Sequence, residues 1–484
     1  MHPLILLLCL LLYFLVLLAV ARFTGKGNRV GSFYHGDRKS PWFVVAFGMI
    51  GATLSGVTFI SVPGETGNSA FHYFQFVLGN MAGYVVIALF LLPFYYRKNI
   101  LSIYSVLQNR MGKEGYRAAS GFFILSKVIG ASFRLFLAAL VIDMAITGPL
   151  GVPFWVAVLF CLILIWLYTH RSGIRTVVWT DTLQTVVLLS AALATAGVLL
   201  HSFGKPAGSV LRELMGQPAT TIFEFGWKSP HNFYKQFVSG IVLTIALNGF
   251  DQDIIQKNLT CADSGKARKN MLWFSLWFGI SVFLFLILGA LLYAFAREKG
   301  IVLPERSDQV YPFLALNYLG KGIALLFILG ISAAAFSSAD SAITAMTTSF
   351  CVDFLNIGRK PEKRQVWIRN RVHLAVSLVL FLVILLFHEL NNESVVTAIF
   401  KAAGYTYGPI AGVFCFSLFL NRIPFKKALV PVCIVSPVLT FFLVQLVEDV
   451  RAGYRFGFEM IVVNTLITFL LLLLLFSERG KDPR

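Results

Sequence analysis

Three clusters of polar residues interrupt stretches of the chain that are otherwise apolar. The first is GMIGATLSGVTFISVPG, residues 48–64, in which four glycines are mixed with the hydroxyl residues Thr53, Ser55, Thr58 and Ser61. A helix that breaks here would free backbone carbonyls for a hard cation and would present a half-helix N-terminus to an anionic group. The same composition also suits a small-residue face for close helix packing. Both interpretations stay open on this segment alone.

The second cluster is ISAAAFSSADSAITAMTTS, residues 331–349, which is rich in serine and threonine. On a helix, Ala334, Ser337, Ser338 and Ser341 share one face, because they follow the i, i+3, i+4 spacing. Hydroxyl pairs with nearby carbonyls suit an alkali cation, which prefers several hard oxygen ligands. The alternative is that the serines donate hydrogen bonds back to their own helix.

Two charged residues lie inside apolar stretches and require partners. The third cluster, RSGIRTVVWTDTLQT, residues 171–185, contains Asp181, which needs a cation, a proton or an arginine such as Arg175. Arg134 lies near the middle of its stretch and keeps its proton, so it needs an anion, which is either an internal aspartate or a carboxylate of the substrate. Lys127, nearly two turns earlier, is expected to extend toward the inner membrane surface.

The composition identifies the environment in which these residues work. Hydrophobic residues make up 57% of the 484-residue chain and charged residues 13%, whereas soluble domains carry about 25% charged residues. In a bilayer a helix satisfies its own backbone hydrogen bonds and needs roughly 20 apolar residues to span. The sequence therefore predicts an all-α integral membrane protein with about thirteen transmembrane helices, near residues 3–23, 41–63, 74–96, 118–146, 151–170, 176–202, 234–256, 270–296, 320–352, 370–389, 393–420, 427–447 and 457–477.

The distribution of charge indicates how the chain is oriented in the membrane and which partners are not expected. The net charge of +18 comes from Lys and Arg residues scattered through short loops, with no continuous basic face, so no nucleic-acid partner is expected. These residues concentrate in one set of alternate loops, which begins with residues 22–40 and ends with the C-terminus. The positive-inside rule then places the N-terminus outside and the C-terminus in the cytoplasm of a multi-pass protein of the cell (inner) membrane. No HExxH, GxSxG or P-loop motif occurs, so an enzyme is not expected.

Taken together, four segments resemble the sodium:solute symporter family, which includes sodium/glucose, sodium/proline and bacterial sodium/sialic acid carriers. They are, in order, GATLSGVTFISVPG, GIRTVVWTDTLQ, SAAAFSSADSA and GYTYGPIAGVF. The resemblance implies a LeuT-like core of five plus five helices related as inverted repeats, with one extra N-terminal and two extra C-terminal helices. It divides the chain into an N-terminal helix and cytoplasmic loop (1–40), a first repeat (41–203), an external loop (204–233), a second repeat (234–420) and two closing helices with a tail (421–484).

The resemblance also implies ion and solute sites on matching residues. A sodium ion would bind three backbone carbonyls, those of Gly51, Leu54 and Ala334. It would also bind the hydroxyls of Ser337 and Ser338. A second cation would bind near Asp181 and Ser341, where Asp340 replaces a serine of the family pattern, so this position takes either a second sodium or a proton. The solute would contact residues of both repeats: Ser55, Thr58, Phe76, Asn80, Arg134, Asn248 and Gln252.

The expected function is sodium-coupled import of a small organic solute by alternating access, with a monomer as the functional unit. Arg134 favours a carboxylate-bearing solute, such as a sialic acid or a sugar acid, because a bidentate contact orients it. Three alternatives remain open at this point. The same fold could couple to protons through Asp181 and Asp340, carry a neutral sugar or amino acid, or act as a sensor that detects solute without transporting it.

Overall fold

The computed structural model describes residues 3–24, 38–98, 100, 102–169, 173–227, 229–390, 395–420, 422–424, 426–450, 456 and 459–479. The predicted loop at 25–37 and the tail at 480–484 lie outside these residues. The first half of the chain forms α1 (Pro3–Thr24), α2 (Trp42–Thr53), α3 (Gly56–Ser69), α4 (Tyr73–Lys98), α5 (Ser105–Ile142, continuing through a π-helical turn at Asp143–Thr147), α6 (Phe154–Thr169), α7 (Gly173–Ser202) and α8 (Ala207–Met215).

The second half forms α9 to α17 and one short antiparallel strand pair. The helices are α9 (Phe233–Gly249), α10 (Gln252–Asn258), α11 (Ser264–Lys299), α12 (Ser307–Asn317), α13 (Gly320–Phe354), α14 (Glu362–Leu390), α15 (Val395–Phe419), α16 (Leu429–Val450) and α17 (Met460–Leu474). The strands are β1 (Arg422–Pro424) and β2 (Phe476–Arg479).

The spans that the apolar runs predict are present as helices. Of the described residues, nine helices are long and apolar enough to cross a membrane, and the bent pairs α2–α3 and α9–α10 add two spans. The shorter apolar helices α6 and α17 occupy the two remaining predicted positions. The all-helical membrane fold is confirmed, because helices are the only form in which these segments can satisfy their backbone in lipid.

The predicted break in residues 48–64 is a sharp bend, and the structure contains a second one. The α2–α3 pair bends by 61° and the α9–α10 pair by 72°. At the first bend, Leu54 N donates to Ile50 O in the helical pattern, but Ser55 N donates to Thr53 O instead of Gly51 O. The carbonyl of Gly51 thereby loses its helical partner at the point where the chain changes direction.

Small residues let the bent helices approach their neighbours closely. A Cβ atom on Gly51 would lie 2.3 Å from Thr185 Oγ1 of α7, and one on Gly79 of α4 would lie 2.2 Å from Phe237 O of α9. The first polar cluster is therefore both a broken helix and a packing face, so each of the two interpretations left open by its sequence describes part of it. Its position against α7 brings the first bend next to Asp181.

The second polar cluster lies on α13 and is enclosed by other helices, since every residue from Gly330 to Ser349 is buried. This helix packs against α7, α5 and both halves of the first bent pair. Because lipid reaches none of this stretch, its serines and aspartate face other helices. The fold thus gathers the first bend, α7 and α13 around one interior region.

Candidate functional site

A cavity of 670 Å³ lies between α3, α4, α5, α9 and α15. Six of the seven residues predicted to contact solute line it: Ser55, Thr58, Phe76, Asn80, Arg134 and Asn248. They come from four different elements, so only the folded chain brings them together. The seventh, Gln252, is not among the lining residues, and its side-chain oxygen accepts a hydrogen bond from Ile103 N at 2.9 Å.

Arg134 faces this cavity without an internal carboxylate. Among the described residues, no Asp or Glu oxygen lies within the 4.0 Å ion-pair distance of its guanidinium. The backbone at Arg134 packs beside the start of α3, because its carbonyl oxygen lies 3.7 Å from the Cβ position of Gly56. The alternative of a salt bridge to an internal aspartate is absent from the described residues.

Asn80 has a structural contact as well as a position on the cavity wall. With its amide nitrogen turned toward α9, it donates to Gly240 O at 3.1 Å and Thr244 Oγ1 at 3.0 Å. These bonds join α4 to α9 where the two helices cross on glycines. Asn80 therefore fixes the width of the cavity, in addition to any contact that it makes with solute.

The residues predicted to bind sodium meet where α13 passes the first bend. Ser338 Oγ donates to Ala334 O at 2.9 Å and lies 3.4 Å from Ala52 O. Ser337 Oγ donates to Asp181 Oδ1 at 2.5 Å, which leaves its lone pairs available to a cation. Leu54 is fully buried at the C-terminal end of α2. Hydroxyl and carbonyl oxygens at a helix break form the kind of hard-ligand set that an alkali cation requires.

One of the predicted second-cation residues, Asp181, is paired with an ammonium group. Lys257 Nζ, from α10, lies 2.8 Å from Asp181 Oδ2, and the side chain is 1% exposed. Asp340 Oδ2 accepts from Tyr168 OH at 2.9 Å, and its Oδ1 accepts from Ser341 Oγ at 3.2 Å. The partners considered for Asp181 were a cation, a proton or Arg175. The structure supplies a cation, Lys257, which lies one residue beyond the predicted span 234–256.

The second bend carries its own ion pairs. Lys127 Nζ lies 3.1 Å from both Asp251 Oδ2 and Asp253 Oδ2, and Tyr407 OH donates to Asp251 Oδ2 at 2.8 Å. The expectation that Lys127 extends to the membrane surface is therefore wrong, because two buried carboxylates beside it offer a stronger partner than the interface does. These contacts fix α5, α9, α10 and α15 to one another.

The sequence analysis missed Lys257 and misplaced Lys127, although a weak signal was available for both. The predicted span 234–256 ended one residue before Lys257, so Lys257 was assigned to a loop. Asp251, Asp253 and Lys257 nevertheless stand close together in LNGFDQDIIQK. Buried carboxylates of this density require cations of their own, which points to Lys257 and Lys127 as internal partners.

The rim of the cavity, outside the membrane spans, contains a pair of stacked histidines. The rings of His72 and His231 lie 5.6 Å apart between centroids. Burial, and then the neighbouring His72, lower the pKa of His231 below its ordinary value of 6.5. His231 Nδ1 lies 3.2 Å from Gln236 Nε2, a contact that suits a neutral imidazole accepting from the amide.

Comparison with known proteins agrees with this geometry. The sequence model of the Sodium:solute symporter family matches residues 33–434. The chain belongs to this family. It is 25% identical over 442 residues to the sodium/sialic acid symporter NanT of Aliivibrio fischeri, which covers 89% of this chain and 85% of NanT. The human sodium/iodide cotransporter is 24% identical over 82% of this chain, which spans 62% of that longer protein.

The fold is that of a solved symporter as well. A Na⁺-coupled sialic acid symporter in a substrate-bound, outward-open state aligns with a TM-score of 0.82, at 19% identity, over 97% of each chain. A transporter of the nucleobase-cation-symport-1 family in a closed conformation aligns with a TM-score of 0.54. The LeuT-like membrane fold is thereby confirmed. As a member of its family, the chain is a sodium-coupled symporter of a small organic solute rather than an enzyme, and Na⁺ is its coupling ion.

Proposed function

We propose that this symporter imports a solute carrying a carboxylate, which Arg134 binds in the cavity beside the first helix bend. The observation that carries the proposal is the guanidinium of Arg134, which faces a 670 Å³ cavity with no internal carboxylate within 4.0 Å among the described residues. A guanidinium cannot lose its proton in a protein. None of the described carboxylates bonds it directly, so a carboxylate of the solute can take that place and match its fork of donors bidentately.

Other groups in the cavity suit the rest of such a solute. Ser55 and Thr58 lie at the N-terminus of α3, where the helix dipole favours a negative group. Phe76 of α4 contributes an aromatic ring to the lining of the cavity, and Asn248 of α9 contributes an amide. A sialic acid or sugar acid combines a carboxylate with hydroxyls and an apolar ring face. The names of several relatives also refer to anions, namely sialic acid, iodide and monocarboxylates.

We propose that the coupling sodium binds at the first bend, to the carbonyls of Gly51, Leu54 and Ala334 and the hydroxyls of Ser337 and Ser338. An ion there would hold the bent pair α2–α3 against α13. Because the solute residues Ser55 and Thr58 begin the second half of the same bent pair, sodium would set their position before solute arrives. Coupling of this kind is reciprocal, so sodium and solute each raise the affinity for the other.

The membrane arrangement is proposed from the charge distribution. The inner membrane holds the protein with its N-terminus outside and its C-terminus in the cytoplasm, which fits the basic residues of alternate loops. The two inverted repeats are 41–203 and 234–420, and each begins with one of the observed bent pairs. The segments 1–40, 204–233 and 421–484 lie outside the repeats. One cavity within one chain supports a monomer as the functional unit.

A binding screen tests the solute class. Purified protein in detergent would be heated with sialic acid, a simple sugar acid, a monocarboxylate, glucose and proline, each with sodium chloride and with choline chloride. We expect a rise in melting temperature with at least one carboxylate-bearing sugar, larger in sodium. Stabilisation by glucose or proline alone would contradict the proposal, and equal stabilisation in choline would contradict sodium coupling at this site.

Substitution of the arginine tests its role directly. Arg134→Gln removes a charged hydrogen-bond pair with the solute, which is worth about 1.5–3 kcal/mol, or roughly 10- to 150-fold in the solute dissociation constant. Arg134→Lys is the matched control, because it keeps the charge but loses the bidentate geometry, and its effect should be smaller. An Arg134→Gln protein with unchanged solute affinity would remove Arg134 from the solute site.

A further inference from the structure

Lys257 is a buried cation that the proposed transport site does not use. It lies on α10, the second half of the second bent pair, and its side chain is 1% exposed. Its Nζ lies 2.8 Å from Asp181 Oδ2 of α7 and 3.7 Å from Asp253 Oδ1 of its own helix. The ammonium therefore reaches out of α10 to a carboxylate on a different helix.

The oxygens beside Asp181 form a set that would suit a free cation. Ser337 Oγ donates to Asp181 Oδ1 at 2.5 Å, and Ser341 Oγ lies 3.5 Å from Asp181 Oδ2. Ser341 also donates to Asp340 Oδ1 at 3.2 Å, which adds a second carboxylate. All of these side chains are buried. Two carboxylates and the hydroxyl of Ser341 at one place are hard ligands of the kind that bind sodium.

The ammonium and a sodium ion exclude each other at this place. Both would bind the same oxygen of Asp181, so they would lie within a few ångströms of one another in a buried region, where like charges repel strongly. Removing the ammonium would leave Asp181 without its cation, and a buried carboxylate without a partner is strongly unfavourable. A cation from solution would then find both a charge to neutralise and oxygens to bind.

We propose that the ammonium of Lys257 is a built-in cation that occupies the position of a second sodium, so that this symporter binds a single sodium ion from solution. The inference rests on the proposed sodium site at the first bend, which supplies the position of that single ion. It also answers the question that Asp340 raised in the sequence, because the second position holds neither a free sodium nor a proton relay. The additional carboxylate of Asp340 strengthens the field around a cation that is already present.

Sodium counting tests this directly. Equilibrium binding of ²²Na⁺ to the purified protein, with unlabelled sodium as competitor, gives the number of ions per chain. We expect one in the wild type. Lys257→Ala removes the ammonium and opens space beside Asp181, and we expect two. Lys257→Met is the matched control: it also removes the charge, but its side chain still fills the space, and we expect one.

Each outcome has a definite meaning. Two ions in the wild type, one ion in Lys257→Ala, or two in Lys257→Met would overturn the built-in cation. No bound ion in the wild type would instead overturn the proposed sodium site, so the two failures are distinguishable. Should Lys257→Ala fail to fold, the wild-type count together with Ser338→Ala decides: one ion that falls to none supports the inference, two ions that fall to one overturn it, and one ion that persists in Ser338→Ala overturns the proposed sodium site instead.

Discussion

The two bent helix pairs, which begin the two proposed repeats, have bends of opposite chemistry. The first, at Leu54 and Ser55, is built from small, hydroxyl and apolar residues and has no charged residue of its own. The second, at Phe250 and Asp251, carries Asp251, Asp253 and Lys257 within a few residues. The bends are similar in angle, 61° and 72°, so the difference lies in the side chains.

The difference teaches where ligands from solution are needed. At the second bend, Lys127 and Lys257 already neutralise carboxylates at 2.8–3.1 Å, so the protein supplies its own cations. At the first bend, the backbone leaves the helical pattern and the Ser338 hydroxyl approaches it, while the nearby cation Lys257 is already paired with Asp181. The neutral bend is therefore the place that we propose for sodium and solute, while the charged bend holds helices together.

The largest effect is expected from breaking the charged bend. Lys127→Met leaves Asp251 without its cation and Asp253 with the more distant Lys257, at 3.7 Å, and loss of one partner of a buried pair costs about 3–5 kcal/mol. We expect a much lower melting temperature and little monodisperse protein in detergent. Lys205→Met is the control, because its pair with Glu213 is exposed at 59% and 62% and is worth about 0–1 kcal/mol. Equal melting temperatures for the two variants would contradict the structural role of Lys127.

A tyrosine pair at the same bend gives a finer measurement. Tyr407 donates to the carboxylate of Asp251 at 2.8 Å, whereas Tyr95 donates to the carbonyl of Gly249 at 2.9 Å. Hydrogen bonds to charged groups contribute about 1.5–3 kcal/mol and neutral ones about 1 kcal/mol. Thermal unfolding should therefore show that Tyr407→Phe is more destabilising than Tyr95→Phe. The reverse order would mean that Asp251 does not depend on Tyr407.

At the neutral bend, substitution should change binding rather than stability. Ser55→Ala removes a hydroxyl at the N-terminus of α3, and we expect solute affinity to fall by about 0.5–1.5 kcal/mol, roughly two- to twelvefold. The melting temperature without solute should stay within a degree or two of the wild type, since Ser55 makes no side-chain cap bond. A large loss of stability with unchanged affinity would assign Ser55 to the fold and not to the site.

The smallest effect is expected at the rim of the cavity. Because the pKa of His231 is lowered in the folded protein by burial and His72, the unfolded chain binds a proton more readily there. Stability is thus full above pH 6.5 and decreases as the pH falls below that value. His231→Gln should flatten this decrease slightly in melting curves between pH 5 and pH 7. A steeper decrease in the variant would contradict the direction of the shift.

The sequence was sufficient to predict the helices and the first bend. Apolar length predicts each span, and the glycine and hydroxyl content of residues 48–64 predicts the first bend, because both are local properties. The pairing of charges was not predictable in the same way. Lys257 meets Asp181, and Tyr407 meets Asp251, across many intervening residues. A helical period shows which residues share a face but not which helix that face meets.

Residues placed through the family resemblance divide in the same manner. Ser55, Thr58, Arg134 and their neighbours do line one cavity. Gln252 instead bonds to the backbone of Ile103. Gln252 is a polar residue next to the second bend, and a ligand-binding residue would have the same position in the sequence. Its actual partner, Ile103, lies in the connection between α4 and α5, and the sequence near Gln252 does not show that this connection is close.

The most direct measurement is the binding of ²²Na⁺ to the wild type, Ser338→Ala and Thr348→Ala. Ser338 lies between α13 and the first bend, 3.4 Å from Ala52 O, whereas Thr348 bonds only within its own helix, to Thr344 O. We predict saturable binding of one sodium in the wild type and in Thr348→Ala, and its loss in Ser338→Ala. Unchanged sodium binding in Ser338→Ala would contradict the assignment of the coupling ion to the neutral bend.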